Sequence, residues 1–595
     1  MRTLAPRLGR GMWRGPTALA RLTTAICAMA VVGVLAFIPP SRFCVPLNVA
    51  ASNEKSSLLA IVAQDYEAGR PTVDGRCVHV SVVRVPSGEA EAALVRGWDE
   101  VSDGAPIPDV WSPAAITWVN LLDFHRNAAG LRRIAAATPS IIQSPLVIAM
   151  PKPMAEAMGW PAKDIGWTDI FDLAQDPRGW ERYGHPEWGR FKLGKTSPLS
   201  STSGLHALIA TYYAAGGKAD GPAPESRTLS FMRTVENSVV HYGDTVATYL
   251  KDLLACDDRG QAEQCVSAIA IEEKQVWDYN RGNPASDVPV PKGAVPPRVP
   301  LVAIYPREGT LIANHPYVVL TADDVKRRAA QGFLEYLQGT QAQTRFQSFA
   351  LRGYKGDPGP EITKTNYLDP GKPSAEYHLP VPAVIADIQG TWRTALRKPA
   401  RVLLVVDVGG SMGDRVAGTS KTKLDVAKES ASTALDGFES ADDVGLWAFS
   451  STSGAEPPFR EFVPLGPISA QKSILKHAIE MLNIQGPHKA LYTTLDAAVS
   501  WMHARYDSAR INAVVVLTDG GNDDPANNDL NGLQRTLRVQ PNDAFVRVFT
   551  VGFSAKAKAD LEALESIAVA ARGGAYSAKD PRAMDKILAA VISNF

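Results

Sequence analysis

The sequence predicts an α/β protein: two α/β modules in tandem behind one N-terminal apolar segment. Three observations predict it. From about residue 44 onward, apolar strand-like runs alternate with helix-like stretches, the pattern of sheets covered by helices on both faces. A proline-rich tract, Asp369-Pro370-Gly371-Lys372-Pro373 and Pro380-Val381-Pro382, reads as a stiff linker and splits that pattern in two. The first forty residues differ in composition from everything that follows.

Taken in order, residues 1–21 form a basic segment with Arg2, Arg7, Arg10, Arg14 and Arg21, and no acidic residue occurs before Glu54. Residues 22–39 are apolar, interrupted only by Thr23 and Thr24. As a helix, Leu22 to Ile38 spans about 26 Å, slightly less than the ~30 Å hydrocarbon core of a bilayer. The segment is either a signal peptide or an uncleaved transmembrane anchor. No good small-x-small cleavage site follows Pro39-Pro40 before the next strand, so the anchor is preferred. The arginines then lie in the cytoplasm and the bulk of the chain lies outside a cell membrane crossed once.

Cysteine usage agrees with export. Outside the apolar segment, which holds Cys27, four cysteines remain in two sequence pairs. Cys44 precedes the strand-like Leu47-Asn48-Val49-Ala50, and Cys77 begins another strand. Neighbouring strands would allow a disulfide. Cys256 and Cys265 flank a short polar loop. Disulfides are what an oxidising compartment permits, and four free thiols are the alternative.

Within residues 44–367, Ala51-Ser52-Asn53 ends the first strand and opens a helix. Pro108-Asp109-Val110-Trp111-Ser112-Pro113 repeats that arrangement. Pro145-Leu146-Val147-Ile148-Ala149-Met150 reads as a crossover, and Leu301 to Pro306 as a return strand. This order resembles a bacterial extracellular solute-binding protein, and the resemblance implies a two-lobed periplasmic-binding-protein-like clamshell that holds a small solute. The candidate ligand contacts are hydroxyls at helix starts: Ser52 and Ser112 in the first lobe, Thr202 and Ser203 in the second. Free helix N–H groups there would favour an anion, and ordinary capping is the alternative reading. Glu273, Tyr279 and Asn280 are placed near the second lobe by position alone.

After the linker, residues 368–397, the final module covers 398–595. The apolar strand Val402–Val406 runs into Asp407-Val408-Gly409-Gly410-Ser411, and Val514–Leu517 runs into Thr518-Asp519-Gly520. Ligands of doubly wound sheets gather beyond the carboxyl ends of the strands, where Asp407 and Asp519 fall. These loops resemble the metal-binding loops of a von Willebrand factor A (vWA) domain. That family presents Asp-x-Ser-x-Ser, a Thr from a second loop and a distal Asp to Mg²⁺. Asp407, Ser411 and Asp519 match. Gly409 stands where the family has Ser, and Lys489, aligned on Ala490-Leu491-Tyr492, stands where it has Thr. Glycine offers no side-chain oxygen and an ammonium repels a cation, so Mg²⁺ binding is doubtful and the site reads as degenerate. Thr493 and Thr494 follow closely, and a shifted register would restore a hydroxyl.

Charge is balanced at 62 basic and 62 acidic residues, so no nucleic-acid partner is expected. There is no paired-His zinc motif; Gly409-Gly410-Ser411-Met412-Gly413 and Gly189-Arg190-Phe191-Lys192-Leu193-Gly194-Lys195-Thr196 match the Gly-x-Ser-x-Gly and phosphate-loop patterns in letters only, so no enzyme is expected. As a whole the chain resembles actinobacterial membrane proteins that fuse a solute-binding module to a carboxy-terminal vWA domain. Besides the vWA loops, the resemblance is carried by Gly184-His185-Pro186-Glu187-Trp188-Gly189, Val239 to Asp244 and Arg510 to Val514. It implies an anchored receptor whose clamshell binds a solute and whose vWA loops engage a protein partner. An adhesive or assembly scaffold with a vestigial cleft is the alternative.

Overall fold

The computed structural model describes residues 44–134, 138–221, 225–416, 419–451, 457–541, 544–553, 558–578 and 584–595. The expected anchor at 22–39 lies outside the described residues. Among the described residues, no helix is long and apolar enough to cross a membrane.

The first lobe grows around strand Val45–Ala51, where Leu47 and Val49 are fully buried. It pairs in parallel with Arg76–Arg84 on one side and Val110–Ser112 on the other. Helices Asn53–Ala68 and Asp324–Gln338 cover one face, packing Leu58, Val62 and Phe333 onto it. The first two strands begin side by side, which places Cys44 and Cys77 4.4 Å apart at Cα and lets them form a disulfide. The second disulfide joins Cys256 and Cys265.

The second lobe is a mixed sheet. Strand Ser144–Pro151 pairs antiparallel with both Ala268–Glu272 and Leu301–Ile304. Strand Leu193–Thr196 runs parallel to Ala268–Glu272 and to Val239–Gly243. The chain passes between the lobes at three adjacent places, tied by bridges between Ser140 and Pro316 and between Gln143 and Arg352. Arg352 is locked by a two-pronged ion pair to buried Glu273 (2.6 and 2.9 Å).

The C-terminal sheet has six strands in the order Phe459–Pro467, Asp443–Phe449, Ala400–Asp407, Ile511–Thr518, Arg547–Phe553, Ala575–Ala578. All neighbours are parallel except the first pair, an antiparallel edge absent from the sequence expectation. Alternate residues of the central strand feed opposite layers. Leu403 and Val405 pack with helices Leu491–His503 and Lys558–Ala570. Val402, Leu404 and Val406 pack with Lys423–Ala434 and Met584–Ile592.

The linker is largely ordered. Helix Pro382–Thr391 inserts Ile385 into the apolar cluster that holds Trp118 of the first lobe and Leu205 of the second. One continuous apolar cluster then joins the second lobe to the C-terminal domain. Tyr242 seals that joint: its N–H donates to the Asn594 carbonyl, its hydroxyl accepts from the Lys398 N–H (both 3.0 Å), and its ring meets Trp392 edge-on.

Candidate functional site

The cleft between the lobes encloses a cavity of about 320 Å³. Its walls are strand ends that become helix starts. Strand Val45–Ala51 stops and Ser52 begins helix Asn53–Ala68. Ser201 likewise caps helix Thr202–Ala214, and Thr245 caps helix Val246–Asp257. Each such start leaves backbone N–H groups without intrahelical acceptors.

Of the four expected contacts, Ser52, Thr202 and Ser203 line the cavity. Ser112 does not. Its hydroxyl donates to the Pro316 carbonyl (2.9 Å), and its own carbonyl accepts from the Ser52 N–H, so it braces the crossing between lobes. Glu273, Tyr279 and Asn280 lie in the second lobe as expected but do not line this cavity. Glu273 holds Arg352, Tyr279 is buried in the core, and Asn280 bonds both backbone groups of Leu301. The neighbour of Glu273, Glu272, reaches the cavity instead because it is the last strand residue.

The lobes are closed on each other at both ends of this cavity. At one end the Gly88 N–H donates to the Ser200 carbonyl (2.9 Å) and Trp118 Nε1 donates to the Thr202 hydroxyl (2.8 Å). A Cβ on Gly88 would lie 2.2 Å from the Leu199 carbonyl oxygen, so bare backbone is what lets the lobes meet. At the other end Arg84 pairs with Asp287 (2.9 Å), and the Ser57 hydroxyl donates to the Ser286 carbonyl (3.0 Å).

The cavity floor is ionic. Lys55, fully buried, donates to the Ser52 hydroxyl (2.5 Å) and the Pro113 carbonyl (3.1 Å), and sits 3.2 Å from His315 Nδ1. Burial lowers its pKa to about 8 against the pull of Glu54 and Glu272. Burial pushes the Glu272 carboxyl up to about 8, opposed by Lys55 and Lys274. It also holds His315 well below its ordinary range, helped by Lys55, so that ring is neutral and accepts at Nδ1. Glu54, Glu272 and His315 bring ligand atoms within 4.8 Å of one another, but the Lys55 ammonium already supplies the positive charge among them.

The C-terminal site is built at a similar place, beyond strands Ala400–Asp407 and Ile511–Thr518. Asp407 is fully buried. It accepts from the Thr518 hydroxyl (2.6 Å) and the Gly409 N–H (2.8 Å), and burial raises its carboxyl to about 7. Asp519 accepts from the Ser411 hydroxyl and the Lys489 ammonium on one oxygen (both 2.9 Å) and from the Lys423 ammonium on the other (2.6 Å). Burial alone would raise its pKa. The bonds from Lys423 and Lys489 more than offset that and hold it below its ordinary value.

The two departures from the metal-binding pattern are one packing event. A Cβ at Gly409 would lie 2.8 Å from Lys489 Cγ, so the lysine fills the volume a serine would need. Thr494 is fully buried, and the Thr493 hydroxyl accepts from Asn527 (3.1 Å). Lys423 escaped sequence reasoning because its partner Asp519 lies 96 residues away.

A closed two-lobed cleft lined by helix starts defines a solute-binding protein, and a vWA-type sheet is fused behind it. The family model for bacterial extracellular solute-binding proteins matches residues 47–352, more than half of the chain, and the chain belongs to that family. A von Willebrand factor type A domain matches residues 402–590. Among solved structures, the periplasmic binding protein AfuA from Actinobacillus pleuropneumoniae is similar at 13% identity and TM-score 0.38, over 58% of this chain and 97% of that one. The sulfate-binding protein SubI from Mycobacterium tuberculosis H37Rv is similar at 15% and 0.35, over 58% and 96%. A von Willebrand factor type A structure from Catenulispora acidiphila is similar at 20% and 0.27, over 34% of this chain and 43% of that one. No curated protein matches the chain. The two domains together make this an extracytoplasmic binding protein with an interaction domain.

Proposed function

We propose that this protein is a membrane-anchored receptor and not an enzyme: the cleft holds a small polar solute, and the vWA face engages a protein partner without a metal ion. One observation carries the solute reading. The closed cleft keeps a cavity of about 320 Å³ walled by Ser52, Thr202 and Ser203 at helix starts, with Glu272 at its floor. Hydroxyls and free N–H groups would hold oxygen atoms of the solute, and Glu272 would accept from or donate to it according to pH. The metal-free reading is supported by Lys423 and Lys489, whose ammonium groups occupy both oxygens of Asp519.

Native mass spectrometry of the full-length protein, purified gently from its own envelope, tests the first half. A discrete excess over the denatured mass is expected. A bare chain, still bare after incubation with envelope extract, would move the assignment to an adhesive or assembly scaffold. Calorimetric titration with Mg²⁺ tests the second half: no binding heat is expected, and tight binding at one site would overturn it.

A further inference from the structure

The vWA domain meets the two lobes in different ways. It is joined to the second lobe by a shared apolar cluster and by the Tyr242–Asn594 bond, so the two form one body. It reaches the first lobe with a long side chain. Lys586, on helix Met584–Ile592, donates to the Asp103 carbonyl (3.0 Å) and pairs with Glu89 (3.2 Å). Beside that bridge the junction is not filled. A cavity of about 340 Å³ separates Glu89 and Ala92 of the first lobe from Ala589 and Phe595 of the vWA domain, with Leu199 and Trp392 as its other walls.

Glu89 follows Gly88 directly, and both lie in the first turn of helix Ser87–Arg96. The same rigid turn therefore carries the contact that closes the cleft, Gly88 to Ser200, and the contact that reaches the vWA domain. A rotation that parts the lobes at Gly88 must also draw Glu89 away from Lys586, because the vWA domain stays with the second lobe.

We infer that Lys586 is a strap between the vWA domain and the first lobe that favours the closed cleft, so that closure and the position of helix Met584–Ile592 are coupled. Linkage makes the coupling reciprocal: whatever displaces that helix loosens the cleft, and whatever closes the cleft holds the helix. This goes beyond the receptor reading and needs no solute, since the contacts exist in the protein alone.

Hydrogen exchange of the full-length protein, read at the peptide containing Gly88 and at the one containing Ser200, tests it. Local exchange reports the population of the opened state. Lys586→Glu and Glu89→Lys should each speed exchange at Gly88 by about two- to five-fold, the scale of an ion pair about one-third exposed. The double variant K586E/E89K should reverse part of that acceleration, because it rebuilds the ion pair but not the bond to the Asp103 carbonyl. Lys586→Gln, which keeps most of the stem, should act in the same direction with less risk to folding. Lys558→Ala, on an exposed face of another helix, should change nothing at Gly88. Unchanged exchange in the three variants at the bridge would overturn the inference. So would acceleration that the charge swap fails to reverse, because that marks general loosening.

Discussion

The solute cleft and the apex of the vWA sheet are built alike and end differently. Both lie beyond strand ends where helices begin, both bury carboxylates, and both place lysines beside them. In the cleft, Lys55 lies beneath the floor and a cavity remains above it. In the vWA site, Lys489 and Lys423 enter from the side and close on Asp519. Topology thus decides where a site can form, while the volume and charge of two or three side chains decide whether anything can enter it.

The sharpest way to break that comparison is to remove the acceptor that holds the plug. Asp519→Asn leaves the nearly buried Lys489 ammonium without its carboxylate and Lys423 with only the exposed Asp414, and should cost about 3 kcal/mol in denaturant unfolding. A loss below 1 kcal/mol would mean the lysines are solvated and the site is open.

In the cleft the corresponding test is Gly88→Ala. Its Cβ would meet the backbone of Leu199 and Ser200, which cannot give way as a side chain can. The lobes should be held apart, the excess mass expected in native mass spectrometry should be absent, and the fold of each lobe should persist by circular dichroism. Retained solute would show that closure at Gly88 is not required for binding.

Gly409→Ser tests the fit around the plug. Alone it should cost about 1–3 kcal/mol through its clash with Lys489 Cγ. Combined with Lys489→Thr, most of that cost should disappear, and strictly additive losses would refute the pairing of the two positions.

The smallest effect expected is one of pH. Asp407 is raised by burial to about 7 from 3.8, so the folded state holds its proton more tightly than the unfolded chain does. Its share of stability is therefore present at low pH and is lost as pH rises from about 4 to about 7. Asp407→Asn should gain on the order of 1–2 kcal/mol over the wild type at pH 8 and little at pH 4.5. Equal differences at both pH values would count against a protonated Asp407.

Much of this was legible in the chain. Val402–Val406 and Val514–Leu517 are continuous apolar runs because their strands are buried on both faces, and the aspartates that end them fall at the site. Ser52, Thr202 and Ser203 could be placed at the cavity wall from the sequence because hydroxyls mark helix starts. The same rule misled at Ser112, whose carbonyl and hydroxyl brace the lobe crossing, 204 residues from Pro316. The edge strand Phe459–Pro467 was missed because only Val463 in it is buried, it carries prolines and it lacks an apolar run.

The sequence by itself determined the two α/β modules, the cysteine pairs as candidates for bridges, and the chemistry that Gly409 and Lys489 withhold from a metal. Those features are local: periodicity, strand ends and the presence or absence of an oxygen. Only the tertiary structure decided that Lys489 occupies the space Gly409 leaves, that Lys423 joins it on Asp519, that Glu272 and not Glu273 faces the cleft, and that the vWA domain is fused to one lobe and strapped to the other. Each of these depends on groups far apart in the chain, whose distances no spacing encodes and only packing sets.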